Sequence, residues 1–411
     1  MRRTPTAIIG RLQLRIEKLV YGGEGLSRAD GEVLFTPFVL PGELVEAERT
    51  GARHQAERTE LVEVLERSPE RIKPSCRYFE RCGGCQYQHI SYEAQLKAKR
   101  EILVETLRRV GKVEFDADKI EVESSEPWGY RNRAQFHFDQ GRFGYKEMSS
   151  NKLVAIDSCP ISSPKINEAI TVLNRLVRDR KWPAFLNSME IFTDEKSVQW
   201  NVLSSEKPIA KAFFEWLAKE VPGTVGGALE YRVGDPIAGD EFKVSGMSFF
   251  QTNRFLLQRL AEIAIGKTSG STAWDLYAGV GLFSVPLSRR FEKVTGVESG
   301  RAAAADLESN ARRARVKMDV EQKQTEQFLT AASKAPDFIL ADPPRAGLGR
   351  VAVGRLLKLR AKELAIVSCD PATLARDLAV LDEIYAIDRI TLIDLFPQTF
   401  HMETVVGLKL K

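Results

Sequence analysis

Over the first 65 residues, apolar and polar positions alternate with a period of two. RLQLRIEKLV, EVLFTPFV and ELVEAERT each read as a strand, and Gly22–Gly23, Gly25, Asp30–Gly31 and Pro41–Gly42 supply turns between them. Short strands at this density predict a small OB-like β-barrel over residues 1–65. Such modules hold single-stranded nucleic acid, or serve only stability, and the pattern does not separate the two. Over residues 91–110 the period becomes helical. Leu96, Ile102, Leu103 and Leu107 form an apolar stripe, with Ser91 as N-cap and Gly111 as stop. Lys97, Lys99, Arg100, Arg108 and Arg109 make the other face basic, either simply solvated or touching phosphates.

Residues 66–245 read as a central α+β domain. RNRAQFHFD and GRFGYK form one hairpin, with Phe136 and Phe138 on one face, and SMEIFTDE and SVQWNVLS form another pair. Helices are expected over 165–180 and 207–220. The helix at 91–110 is placed in this part, with the option of packing on the C-terminal domain. From 246 to 411, strand, turn and helix repeat and the chain closes on two strands. This predicts an α/β fold, a doubly wound parallel sheet with an antiparallel final pair.

Composition adds bounds. The chain has 411 residues, 43% hydrophobic and 28% charged, with a net charge of +4. That excludes a disordered or collagen-like chain. No apolar run reaches the roughly 18 residues of a membrane span. Charges interrupt the N-terminal MRRTPTAIIGRLQLRIEKLV before a signal-peptide core forms. Five cysteines are too few for a secreted disulfide framework, so a cytoplasmic protein with reduced thiols is expected.

Candidate chemistry concentrates in the C-terminal part. Asp275-Leu-Tyr277-Ala-Gly279-Val-Gly281 lies where its first strand meets a helix, and glycines there let a ligand approach the backbone. A dinucleotide fingerprint needs a third glycine, and Ser284 occupies that place. This disfavours a nicotinamide dehydrogenase and suits S-adenosylmethionine, which has no pyrophosphate to cradle. Glu298 ends the next strand, at a spacing suited to a ribose hydroxyl pair. Asp342-Pro-Pro-Arg345 forms a stiff loop at a strand's carboxyl end. Cys369 follows the apolar run LAIVS and opens a helix. That position would lower its pKa and make it a nucleophile, unless it is an inert buried thiol. Near the end, the Phe396–Glu403 segment offers a His and a Glu as proton acceptors.

Together, SFFQTN (248–253), DLYAGVG (275–281), ADPPRAG (341–347), VSCDPATLARDL (367–378) and DLFPQTFHMETV (394–405) resemble the motifs of the S-adenosylmethionine-dependent RNA uracil-C5 methyltransferases, in order and over essentially the whole chain. The resemblance implies a class I Rossmann-like methyltransferase domain over 246–411. It implies Cys369 as nucleophile and Glu403 as general base. Gln251, Tyr277, Gly279, Leu282, Glu298 and Asp342 become cofactor or base contacts, with Gln324 on the adenine side. Ala278 stands where many relatives carry a cysteine, a position without a catalytic role in the family. Phe249 and Phe250 are plausible stacking surfaces for an unpaired base. Tyr130-Arg131-Asn132-Arg133 resembles an RNA-contact segment or is structural.

The remaining cysteines, Cys76, Cys82 and Cys85 with Cys159 before Pro160, are spaced too irregularly for a usual zinc site. They fit a [4Fe–4S] cluster better, and one branch of the family carries this same pattern. Between them, Arg77, Arg81, Gln86 and His89 are candidates to face RNA. The N-terminal module then resembles a TRAM domain. The expected substrate is uridine in large-subunit (23S) ribosomal RNA, with a tRNA T-loop uridine as the alternative. A monomer is expected. A non-catalytic RNA-binding or assembly protein is the rival of another class.

Overall fold

The computed structural model describes residues 11–53, 56–234 and 239–411, leaving out the side chains of residues 51–53 and 56. The first ten residues, part of the segment weighed as a signal peptide, lie outside it. Six strands form the N-terminal sheet: β1 (Arg11–Arg15), β2 (Lys18–Leu19), β3 (Glu24–Ala29), β4 (Glu32–Pro37), β5 (Leu44–Arg53) and β6 (Ala56–Glu66). Their order is β1-β5-β6-β4-β3-β2. Leu14, Ile16, Leu34, Val39, Val45 and Ala47 form a small core of their own. Tyr21 and Leu19 instead pack on the core of the C-terminal domain.

Helix α1 (Tyr92–Gly111) begins where Ser91 accepts the amide of Ala94. It ends at Gly111 for a reason other than a glycine cap, because the left-handed residue is Lys112. A Cβ on Gly111 would lie 2.8 Å from the Ala375 carbonyl oxygen, so this glycine allows close contact with a helix of the C-terminal domain. Lys99 does not belong to the basic face. It is fully buried with Gln95, on the same stripe as Leu103 and Leu107.

The central sheet combines β8 (Arg133–Asp139), β9 (Arg142–Lys146), β10 (Leu153–Ala155), β11 (Leu186–Thr193), β12 (Val198–Ser205) and β13 (Thr224–Val225), in the order β10-β9-β8-β11-β12-β13. Helices α2 (Pro164–Leu176) and α3 (Lys211–Glu220) cover its core, where Phe136 and Phe143 meet edge-on. A hairpin, β14 (Leu229–Val233) with β15 (Asp240–Val244), and helix α4 (Leu257–Ile265) lead onward.

The C-terminal sheet has eight strands. Five are parallel: β16 (Gly270–Leu276), β17 (Phe291–Val297), β18 (Asp319–Glu321), β19 (Phe338–Ala341) and β20 (Glu363–Ser368). Helices α5 (Ser284–Leu287), α6 (Arg301–Arg313), α7 (Thr325–Ala331), α8 (Gly349–Leu359) and α9 (Pro371–Leu381) follow them in turn. The last two strands, β21 (Tyr385–Ile393) and β22 (Glu403–Leu410), are antiparallel, as their sequence pattern predicts, but do not form the edge. β22 inserts beside β20, and β7 (Glu121–Glu123), from the part read as central, pairs outside β21. The order is β18-β17-β16-β19-β20-β22-β21-β7. One apolar core on each face buries the sheet, α1, α8 and α9 covering one side and α4 and α5 the other. This doubly wound Rossmann-like sheet with an N-terminal β domain is the fold class expected from the sequence.

Candidate active site

The polar residues singled out in the C-terminal motifs gather at the carboxyl edge of the parallel strands, where open α/β sheets bind ligands. Cys369 follows β20 and Glu403 begins β22. Ser368 pairs with Thr404, so one further step along both strands sets Cys369 across from Glu403. Cys369 lies one residue beyond β20, yet the Glu403 carboxyl is near enough to act electrostatically on its thiol. Asp342 follows β19, the next strand over, and its amide donates to the Leu276 carbonyl at 3.3 Å. Gln251 donates to Asp342 Oδ2 at 3.4 Å.

Burial dominates the electrostatics of this edge. It pushes the Cys369 thiol up to about 12, with Glu403 adding to the rise and Arg345 opposing it. The expectation of a thiol acidified by a helix N-terminus therefore fails. Asp370 is the N-cap of α9, and its carboxylate takes the free amides of Ala372 and Thr373 at 3.0 and 2.8 Å. The helix end is thus already neutralised by an anion beside the thiol. Burial also holds the Glu403 carboxyl well above the usual range, reinforced by Asp342 and opposed by Arg345. It pushes Asp342 up to about 7, against the hydrogen bond from Gln251. His401 packs against Phe400 with ring centroids 4.1 Å apart and the planes tilted by 41°, and burial pushes it down to about 4, a neutral ring at pH 7.

The glycine turn after β16 has Tyr277 and Gly279 at positive φ. A Cβ on Gly281 would come within 2.6 Å of Leu307, whereas one on Gly279 would meet nothing within 4 Å, leaving open space. Glu298 accepts the amides of Gly279 at 2.9 Å and Gly300 at 2.6 Å, which fixes its carboxylate over the turn. Leu282 is buried, Tyr277 is half-buried and Gln324 is exposed at the start of α7. In the place of a third glycine, Ser284 donates to the buried carboxylate of Asp275. These residues fit an adenosyl group: open backbone, a fixed acid and an aromatic side chain at the mouth of one turn.

Three features of this edge lie outside the sequence motifs. Tyr21, from the N-terminal domain, donates its hydroxyl to the Cys369 carbonyl at 3.2 Å and packs edge-on against Phe400. Gln95 and Lys99 of α1 hold the segment before Glu403. Their signal was two polar residues, one turn apart, on an otherwise apolar helical stripe. Tyr21 sits in a glycine-rich turn without periodicity and left no such signal.

Of the two phenylalanines, Phe249 is 63% exposed and able to stack, while Phe250 is 2% exposed and belongs to the core. Tyr130 and Asn132 are fully buried, and Arg133 packs over the Phe192 ring, so the 130–133 stretch is structural. Gln86 and His89 also point inward. Burial pushes His89 down to about 3, and its ring packs beside both Phe38 and Phe79. Arg77 pairs with Asp157 at the surface.

Cys76, Cys82, Cys85 and Cys159 are free and line one small cavity with Arg131 and Tyr145. Among the described residues, no three His, Cys, Asp or Glu side chains converge closely enough for a single metal ion. Arg131 Nε is buried beside these thiols with no hydrogen-bond partner among the described residues. Burial raises Cys82 to about 11 and Cys85 to about 12, and neighbouring thiols add to both.

No helix among the described residues is long and apolar enough to cross a membrane. Residues 236–411 match the family described as tRNA (Uracil-5-)-methyltransferase. An RNA methyltransferase of Aquifex aeolicus is 34% identical over 97% of this chain and 99% of its own length. The 23S rRNA (uracil(1939)-C(5))-methyltransferase of Halomonas elongata is 31% identical over 97% of this chain and 90% of its own. The crystal structure of Pyrococcus abyssi tRNA (uracil-54, C5)-methyltransferase with S-adenosyl-L-homocysteine is similar with a TM-score of 0.76 at 26% identity, covering 97% of this chain and 100% of that one. With its Rossmann-like sheet and an edge that brings Cys369, Glu403 and Asp342 together, the chain belongs to the S-adenosylmethionine-dependent RNA uracil-C5 methyltransferase family.

Proposed function

We propose that this chain methylates C5 of a uridine in large-subunit ribosomal RNA, through a covalent bond between Cys369 and C6 of the base. The observation that carries this reading is the cross-strand placement of Cys369 and Glu403 beside Asp342. C5 of uracil is a weak nucleophile. The Cys369 thiol gives its proton to solvent, and the thiolate forms an S–C6 bond and moves the C5–C6 electron pair toward the O4 enolate, enriching C5. S-adenosylmethionine would supply the methyl group that bonds to C5, its sulfonium becoming a neutral thioether. Glu403 then takes the C5 proton, the S–C6 bond breaks and the C5–C6 double bond returns. Arg345 is the cation that favours thiolate and carboxylate in this buried place. Gly279, Tyr277, Leu282, Glu298 and Gln324 would hold the adenosyl part, with Gln251 and Asp342 toward the reacting groups.

Cys76, Cys82, Cys85 and Cys159 would ligate a [4Fe–4S] cluster. Four thiols lining one cavity supply the donor set that such a cluster needs. The unpartnered Arg131 nitrogen suits an anionic occupant. The cluster's contribution would be to tie the 76–85 segment to Cys159. The N-terminal β domain would act as a TRAM-type RNA module. We read the chain as a cytoplasmic monomer.

A tRNA uridine is the second reading, favoured by the similarity to the Pyrococcus abyssi enzyme. A purely RNA-binding role leaves both Cys369 and Glu403 without a purpose. Incubation with undermethylated total RNA and methyl-labelled S-adenosylmethionine, followed by mapping of the label, decides the substrate. Label on a large-subunit rRNA uridine is expected. Label in a tRNA T loop selects the second reading, and no labelled uridine overturns both.

A further inference from the structure

The segment that delivers Glu403 is held by a buried glutamine with no part in the motifs. Between Ile393 and Glu403 the chain runs through the core, where Asp394, Gln398, Thr399 and Met402 are all buried. Gln398 has φ +68, a conformation a non-glycine residue keeps only when its surroundings enforce it. The enforcement is visible group by group. Gln398 N donates to Gln95 Oε1 at 3.0 Å, and Gln95 Nε2 returns a bond to Gln398 Oε1 at 3.1 Å. The Gln398 carbonyl accepts the amides of Gln86 and Tyr87, both at 3.0 Å. Gln95 Nε2 also reaches the carbonyls of Tyr87 at 3.1 Å and Ile90 at 2.9 Å. One side chain on α1 thus joins the segment around Tyr87 to the strand-linking loop. Only an amide offers both the acceptor and the donor that this exchange needs.

We infer that Gln95 is a positioning residue for the proton-removal step. It fixes Gln398, and Glu403 follows five positions later at the start of β22. Cys369 directly follows another strand, β20, and is not held by this loop through Gln95. Losing Gln95 therefore separates the two halves of the reaction. Attack and methylation persist, while proton abstraction and release of the thiolate slow.

The inference rests on the proposed covalent mechanism, and the test keeps the two apart. Full-length Gln95→Met and Gln95→Glu are compared with wild type on transcribed large-subunit rRNA containing uridine or 5-fluorouridine, with methyl-labelled S-adenosylmethionine. If wild type forms no denaturation-resistant adduct on the fluorinated form of an RNA that it methylates as ordinary uridine RNA, the covalent mechanism itself is wrong. Given that adduct, Gln95→Met should form it at a rate within about threefold of wild type. On ordinary RNA it should accumulate a methyl-labelled adduct that wild type does not, with release slowed about 10- to 100-fold. Gln95→Glu keeps the acceptor for Gln398 N and should fall between the two. A parallel loss of both steps, an unchanged release rate or failure of both variants to fold overturns the inference, since Gln95 would then serve only the fold.

Discussion

Lys99 Nζ and Asp394 Oδ1 lie 2.7 Å apart with neither side chain exposed, and they join α1 to the strand end that leads to Glu403. Lys99 also donates to the Phe396 carbonyl at 3.0 Å, and Tyr92 donates to the other oxygen of Asp394 at 3.0 Å. Removing one partner leaves an uncompensated buried charge. Lys99→Met should lower stability by about 3–5 kcal/mol, and Lys99→Met with Asp394→Leu should cost less than either single change. Denaturant melts of the three variants check this, and additive losses would show that the pair is not coupled.

Glu403 is the general base in the proposed reaction, so Glu403→Gln should separate methyl transfer from product release. Turnover should fall about 10²- to 10⁴-fold. The variant should remain joined to methylated RNA, visible as a slower band on a denaturing gel. Loss of turnover with free, unmethylated RNA would assign Glu403 to binding instead.

The high pKa of Cys369 has a direct kinetic consequence. Below about 12 the thiol predominates, so the thiolate fraction grows about tenfold per pH unit across the neutral range. Covalent-adduct formation should therefore rise with pH. Arg345 favours the thiolate, so Arg345→Ala should slow the adduct step and leave the upward slope in place. Rapid-quench measurement of the adduct from about pH 6 to about pH 9 tests this. A flat profile would mean that RNA binding, not thiol ionisation, limits the step.

Gly111→Ala separates packing from helix propensity. Alanine gains at most about 1 kcal/mol, the helix-interior figure, and less at the last residue of α1, but its Cβ would press on the Ala375 carbonyl at 2.8 Å. Overpacking of this kind costs about 1–3 kcal/mol. A lowered Tm is expected in thermal unfolding, and a raised one would show that α1 and α9 move apart freely.

The C-terminal domain was legible in the sequence because each β-α unit carries its own periodicity and its own polar residues at the turn. The order in the sheet was less so. Glu121–Glu123 pairs across a long interval with β21, and three residues carry no periodic signal. That Cys369 and Glu403 reach one sheet edge follows the order of the motifs, but the thiol's raised pKa does not, because burial sets it first and Asp370 already caps the helix behind it. By pattern Lys99 does not differ from the surface cations around it, because its buried partner lies 295 residues away. Gln86 and His89 lie between polar, cysteine-bearing turns and yet face inward, which composition alone does not reveal.

The covalent step can be tested directly with the whole chain, S-adenosylmethionine and RNA transcribed with 5-fluorouridine. Fluorine at C5 cannot be abstracted as a proton, so an attacking thiolate stays attached. Digestion and mass analysis should find one RNA-bearing peptide, the one containing Cys369, and Cys369→Ala should yield none. A folded, cofactor-binding chain that forms no adduct, or one joined through a cysteine other than Cys369, would contradict the mechanism.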